Sequence, residues 1–300
     1  GKIAAMPAFA DAMFMYYRKD LLEKYKIAEP KTWDELAAAS KKIQAGEGNP
    51  NLQGLSIQGA PIEGAVCTFL LPYWSQGKEF NDASGKLTLD KAAAVKGLNQ
   101  WLSMVDAGVI KRNVAEVKTP DTVNEFKAGQ VIFAINWGFA WDRFRMDKDS
   151  TVGGKVGVMP LPAMAGGKSA TCVGGWQWAV SAFSKNKAEA AKLVKFMATP
   201  ATSKFLAVEG SLLPTIQSVY VDADVARDAL RRRSMFNIID LTSGWKIDLI
   251  VRKASAHAVA ELARRTTGTV AGVAAPIATA SSCSRLTASR CWKKTTSWTM

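Results

Sequence analysis

Trp137, Trp141, Trp176 and Trp178 crowd one stretch of the chain and sit among small residues. Gly174-Gly175-Trp176 follows a Gly/Ala/Ser/Thr loop and opens a predicted strand; Asn136-Trp137-Gly138-Phe139-Ala140-Trp141 is a second aromatic cluster upstream. An indole at a strand end beside glycines can lie flat and open. Such a ring is an apolar plane with a polar edge, a surface on which a sugar face stacks. The glycines let a ligand come close to the backbone. Taken singly, each tryptophan also fits a core, because Trp is highly buried on average. Taken together, they fit the aromatic wall of a ligand cleft.

Other chemistry is poorly supplied. His257 is the only histidine, so neither a Ser-His-Asp nor a Cys-His arrangement has a base in the first 234 residues. Cys67, Cys172, Cys283 and Cys291 form no C-x-x-C pair, and a Cys/His zinc site is not expected. Their spacing shows no disulfide framework and leaves the redox compartment unread. No G-x-x-x-x-G-K-[ST] loop occurs. Asp11 and Glu63 are formal candidates for a paired-carboxylate hydrolase, which needs two acids facing one cleft. Asp240 and Asp248 are formal metal ligands, but the Gly-Ser loop and further carboxylate of such a site are not visible, and they read as hairpin-end acids on a fragment. The expectation is a chain with no catalytic residue, no cofactor and no metal.

The elements that must position the tryptophans alternate in type. Strands are predicted at Lys2–Met6, Met13–Tyr17, Gly54–Ile57, Val131–Ile135, Val156–Met159 and Val173–Ser181. Helices are predicted at Lys19–Lys26, Ile62–Trp74, Gly138–Met146, Asn186–Met197 and Pro200–Val208, with another ending at Glu125–Ala128. Thr32-Trp33-Asp34-Glu35 reads as a capping box opening a helix that stops at Gly46. Asp90 caps a helix whose Val95, Leu98, Leu102 and Val105 follow the helical period, and Gly108 stops it. The alternation implies an α/β fold with mixed sheets.

The chain has 300 residues, 48% hydrophobic, enough for a large core and two lobes. Almost half of its net charge of +13 lies in residues 235–300, with nine basic side chains against three acidic. Upstream, lysines alternate with acids on solvated helical faces, so nucleic acid is not an expected partner. No basic-then-apolar leader opens the chain. Thr266–Ser284 is uncharged but too polar for a convincing membrane span. A hairpin is predicted from Phe236–Asp240 and Trp245–Val251 around Thr242-Ser243-Gly244, followed by a helix at Ala254–Arg265. Residues 266–300 are rich in Ala, Thr, Ser and Gly without period and are expected to be disordered.

From Gly1 to about Val225 the chain resembles the extracellular solute-binding proteins of ABC importers, of the maltose/trehalose-binding type. The resemblance is carried by Tyr16-Tyr17-Arg18-Lys19-Asp20-Leu21-Leu22, Pro30-Lys31-Thr32-Trp33-Asp34-Glu35-Leu36, Phe126-Lys127-Ala128-Gly129-Gln130 and Asn136-Trp137 with Trp141. Val156-Gly157-Val158 with Pro160-Leu161-Pro162, Gly174-Gly175-Trp176 and Leu213-Pro214-Thr215 complete it, in the same order and spacing.

The resemblance implies a two-lobed, type II periplasmic-binding-protein-like fold that closes on a sugar or oligosaccharide without catalysis. Strands would cross the hinge near Asp11–Met13, Val156–Val158 and Gly210–Pro214. Residues 1–12 and 157–209 would be a remnant of lobe one, and 13–156 with 210–230 would be lobe two. It implies an N-terminally truncated chain, with lobe one incomplete. Trp137, Phe139 and Trp141 match the aromatic wall of lobe two. Gly174, Gly175 and Trp176 match the opposite wall, Asp11 an acid beside the hinge flanked by Phe9, and Glu63 with Gly64 a helix start on the rim. The implied partners are a saccharide and ABC permease subunits, for a monomer that is periplasmic or an extracellular lipoprotein. Residues 231–265 read as a foreign segment faintly resembling a nucleotidyltransferase-like family. The alternative expectation is therefore a truncated, non-binding fragment fused to a piece of such a protein.

Overall fold

The structure is a computed structural model and describes residues 3–220, 222, 224 and 225, with the strands at 235–239, 246–250, 266–270 and 273–277. Its contacts divide the chain into Gly1–Val219 and Tyr220–Met300.

In the first unit, strand β1 (Met6–Arg18) runs unbroken for 13 residues, where the sequence predicts two strands parted by Pro7 and Asp11. The strand survives both residues for local reasons. An irregularity between Pro7 and Phe9 absorbs the missing proline N–H. Asp11 turns Oδ1 of its carboxylate onto the N–H of Ala12, which anchors the side chain within the strand.

β1 changes neighbours along its length. Met6–Ala12 pairs antiparallel with β5 (Val173–Trp178). From Met13 onward it pairs antiparallel with β3 (Val131–Trp137) and β4 (Val156–Met159), while β2 (Gln53–Ser56) adds in parallel to β3. The exchange between Ala12 and Met13 falls in the stretch where the resemblance implies the first crossing. After β4 the chain stays against the Met13–Arg18 half, with Met159, Leu161, Met164 and Cys172 in its core, and joins the other half only at Val173. Two backbone bonds tie it there, Trp33 N to Ala163 O and Ala163 N to Lys31 O. At the expected third crossing, Ala10 N donates to the carbonyl of Leu213 at 2.9 Å.

Both faces of the Met13–Arg18 half are covered, and alternation along the strand divides them. Met13, Met15 and Tyr17 join Trp33, Leu36, Leu55, Leu71 and Phe133 on one face; Tyr16 joins Phe126, Val131, Phe144 and Val152 on the other. The helices follow α1 (Lys19–Lys24), α2 (Trp33–Glu47), α3 (Glu63–Trp74), α4 (Lys91–Asp106), α5 (Thr119–Lys127), α6 (Ala140–Met146), α7 (Lys187–Met197) and α8 (Pro200–Gly210). Thr32 caps α2 by accepting from Glu35 N at 3.2 Å, while the Glu35 carboxylate reaches back one residue further, to Lys31 N. α2 ends at Gly48, φ +59°, not at Gly46, which is packed on the Tyr25 ring. α7 buries no residue and α8 buries only Ser203, leaving Leu193, Phe196 and Phe205 in solvent.

The predicted apolar face of α4 is corrected. Val95, Leu98 and Leu102 are exposed, and Ala93, Ala94, Gly97, Trp101 and Met104 are buried instead. Small residues on that face let α4 approach α3 closely: a Cβ on Gly97 would sit 3.3 Å from Pro72. The larger residues satisfied the helical period without facing the core.

In the second unit, β6 (Met235–Ile239) pairs antiparallel with β7 (Lys246–Ile250), placing Asn237 opposite Asp248. Asp240, the turn and the predicted helix at 254–265 lie outside the described residues. β8 (Thr266–Val270) pairs antiparallel with β9 (Val273–Ile277). Its Thr, Val and Ile residues favour extended backbone, a preference composition alone conceals.

The orientation of α4 sets the first prediction. Met104→Ala costs about 2–5 kcal/mol of stability, and Leu102→Ala stays within about 0.5 kcal/mol. Urea unfolding of both variants measures the difference; equal costs would mean that α4 faces the core as its apolar period suggested.

Candidate functional site

The exchange point of β1 gathers the residues. In its first half Phe9 lies opposite Trp176, Ala10 opposite Gly175 and Asp11 opposite Gly174. One step on, Met13 lies opposite Trp137. Residues from two different neighbours of one strand thus meet at Ala12–Met13.

Two glycines make the meeting possible. A Cβ on Gly174 would stand 3.1 Å from the Trp137 ring, so the indole rests against bare backbone there. Gly175 holds φ at +147°, and a Cβ on it would come within 2.4 Å of the Phe9 carbonyl. No other residue fits that position without moving β1. Next to them Trp176 is 71% exposed.

Asp11 lies beneath, 8% exposed. Its Oδ1 accepts from Gly138 N at 2.7 Å and Ala12 N at 2.8 Å, while Oδ2 accepts no hydrogen bond among the described residues. Burial pushes its carboxyl above the ordinary aspartate range, and the two N–H groups pull the other way without cancelling it. Gly138 permits the contact, because a Cβ there would sit 2.9 Å from Oδ1.

Trp137 is half-buried and held by its backbone. Tyr16 Oη donates to its carbonyl at 2.9 Å, and its N–H donates to Asn136 Oδ1 at 2.8 Å. Asn136 is fully buried and donates from Nδ2 to Thr122 Oγ1 at 2.6 Å. Trp141 lies further on. Its ring stacks on Tyr16 with centroids 6.5 Å apart, and the Arg145 guanidinium sits 4.8 Å from the ring centre. Its buried indole N–H has no hydrogen-bond partner among the described residues. Phe139, half-buried, packs on the same cluster as Trp141. These two therefore stand behind Trp137 through Tyr16.

Glu63 and Gly64 form a second group at the start of α3. Glu63 is exposed, in the first turn of α3. Gly64 is buried against Gln58, whose Oε1 a Cβ would overlap at 1.9 Å. That oxygen accepts from Thr119 Oγ1 at 2.7 Å, and the buried Gln58 amide nitrogen has no partner among the described residues. A separate polar depression of about 460 Å³, lined by Lys111, Asp121, Asn124 and Glu125 among others, holds none of the candidate residues.

Tyr16, Asn136, Gly138, Gln58 and Arg145 were not singled out as site residues. Arg145 was within reach of sequence reasoning, being one helical turn from Trp141. Tyr16 was not, since only the register with β3 shows that its hydroxyl meets the Trp137 carbonyl. Among the described residues no cluster of three or more His, Cys, Asp or Glu could hold a metal.

Comparison with known proteins gives a consistent result. Residues 1–204 match the family described as bacterial extracellular solute-binding protein. A probable ABC transporter-binding protein of Deinococcus radiodurans is 41% identical over 233 residues, covering 76% of this chain and 54% of the relative. The solved structure of maltose-bound T. maritima MalE3 superposes with a TM-score of 0.70 at 38% identity, covering 77% of this chain and 59% of that one. The GacH receptor of Streptomyces glaucescens, solved unliganded and with acarbose, gives a TM-score of 0.64 at 28% identity, covering 75% and 56%. The chain spans about half the length of the curated relatives it matches. Over that span its fold is that of the two-lobed maltose-binding type.

Asp11 supplies the second prediction. A carboxyl whose folded pKa lies above its unfolded value binds a proton more tightly in the folded state, so its contribution to stability falls as pH rises from about 4 through the raised pKa. Asp11→Asn has no such titration and retains an oxygen for the two N–H groups. Urea unfolding from about pH 4 to 7 should show the variant gaining stability relative to the parent as pH rises. A constant difference across that range would disprove the raised value.

Proposed function

The chain belongs to the bacterial extracellular solute-binding proteins, and from that premise we propose that it holds a neutral sugar or oligosaccharide for an ABC importer, against Trp176 and Trp137. Its family and relatives are non-enzymatic solute binders. The observation that carries the proposal is the exposed Trp176 indole beside two glycines, opposite Phe9, with Trp137 seated on Gly174 and a buried carboxylate below. The maltose carried by the T. maritima neighbour is the same class of ligand.

Each part has a chemical role. The indoles offer flat apolar planes to the C–H face of a pyranose. Oδ2 of Asp11 accepts from a sugar hydroxyl, a charge-assisted bond stronger than a neutral one. Gly174 and Gly175 keep side chains out of the ligand's approach. Phe139 and Trp141 support Trp137, and Glu63 at the start of α3 forms a polar rim. β1 changes partners at Ala12–Met13, so rotation there would bring Trp176 and Trp137 together around a ligand, the hinge closure of periplasmic binders.

The partners proposed are the saccharide and the permease subunits of the importer, and the location is periplasmic or extracellular. Among the described residues no helix is long and apolar enough to cross a membrane. The alternative, a non-binding fragment joined to a nucleotidyltransferase-like piece, gains no support from the pairing of β6 and β7, which any hairpin shares.

Titration with maltose and other neutral oligosaccharides, followed by tryptophan fluorescence and calorimetry, tests the reading. Trp176→Ala should weaken binding roughly 30-fold, the loss of about 2 kcal/mol expected for an aromatic hot spot. An unchanged dissociation constant would remove Trp176 from the site, and absence of binding to any neutral saccharide would remove the function.

A further inference from the structure

Cys67 and Cys172 stand apart from the sugar-binding role. Cys67 lies on α3 one turn after Glu63, and Cys172 is the last residue before β5. Both are buried, 4% and 8% exposed, and both belong to the main core cluster. Their Sγ atoms are 2.8 Å apart, closer than two unbonded sulfurs normally rest. The backbone around Cys172 is fixed on both sides: Met13 N donates to the Cys172 carbonyl at 3.0 Å, and Thr171 Oγ1 donates to the Met13 carbonyl at 2.6 Å. The segment that carries the chain into β5 is thus locked to the residue at which β1 changes partners.

We propose that Cys67 and Cys172 form a disulfide that staples the first turns of α3 to the entry of β5, beside the partner exchange of β1. The side chains already meet, so the bond needs no rearrangement of the elements bearing them. An extracellular family lives where disulfides persist. The two cysteines are 105 residues apart in sequence, and cross-links closing long loops constrain the unfolded chain most.

The oxidant is a disulfide of a small thiol or of a thiol-oxidising protein, written RSSR. Either thiol can supply the first thiolate; the steps are written with that of Cys172. The Cys172 thiolate attacks one sulfur of RSSR, forming a mixed disulfide and releasing RS⁻. Cys67 then gives up its proton, and its thiolate attacks the Cys172 sulfur, breaking the mixed disulfide and releasing a second RS⁻. The two protein protons end on two RSH, and two electrons pass from the cysteines to the oxidant. Burial of both sulfurs places this exchange during folding, before the core closes over them.

The test uses the full chain with Cys283→Ser and Cys291→Ser, refolded in a glutathione/glutathione-disulfide buffer. Alkylation under denaturing conditions and non-reducing tryptic mapping then follow. The expected product joins the peptide Ile43–Lys78 to Ser169–Lys185, with neither cysteine alkylated. Adding reductant should lower the midpoint of thermal unfolding by on the order of 10 °C. The further variant with Cys67→Ser and Cys172→Ser should show no response to reductant. Complete alkylation of both cysteines would overturn the bond. A linked pair whose reduction leaves the midpoint unmoved would overturn its role as a staple. Neither readout depends on sugar binding.

Discussion

Backbone hydrogen bonding along β1 governs the arrangement. Every N–H and C=O in a strand this long needs a partner once it is buried. No single neighbour supplies them all: β5 covers the first half, and β3 and β4 cover the second. The exchange of neighbours therefore cannot be moved without leaving polar groups unpaired, and the residues on either side of it are fixed in register. That register sets Asp11 across from Gly174 and Met13 across from Trp137. The aromatic pair and the carboxylate follow from where the strand is divided.

The two halves differ in how firmly they are held. The Met13–Arg18 half has a hydrophobic core on each face and draws on the six helices α1 to α6 and on strands β2, β3 and β4. The Met6–Ala12 half has β5 beside it, whose side chains are almost all in solvent. A rigid platform thus carries Trp137 and the network of Tyr16, Asn136 and Thr122 behind it, while Trp176 rides on a lightly packed strand. The proposed binding surface thus has one wall on a packed platform and the other on a lightly packed strand.

Much of this was legible in the sequence, and the failures have physical causes. β4 and the helices at α3, α7 and α8 were found to within a residue or two, because capping signals and periodic apolar runs are local properties. The contact of Trp137 with Gly174 follows from the register of β1 with β3 and β5, which is not a local property of the sequence. The continuity of β1 was hidden, since Pro7 and Asp11 normally interrupt a strand and only the bulge and the Asp11–Ala12 bond cancel that tendency. The face of α4 was misread because the apolar period fits two stripes, and close packing against Pro72 selects the one that carries Gly97 at the contact. The standing of Trp141 depended on Tyr16 and Arg145, which meet it only after the sheet has formed.

The bare flanks of α7 and α8 give the molecule a second character in solution. Leu193, Phe196 and Phe205 present oily patches, yet the whole chain carries a charge of +13. Repulsion between like-charged molecules reaches roughly 10 Å in 0.1 M salt and only about 3 Å in 1 M salt. Attraction between the patches acts at contact and does not fade with salt. The balance therefore makes colloidal behaviour a function of ionic strength: dilute buffer keeps the particles apart, and concentrated electrolyte lets the oily flanks find one another.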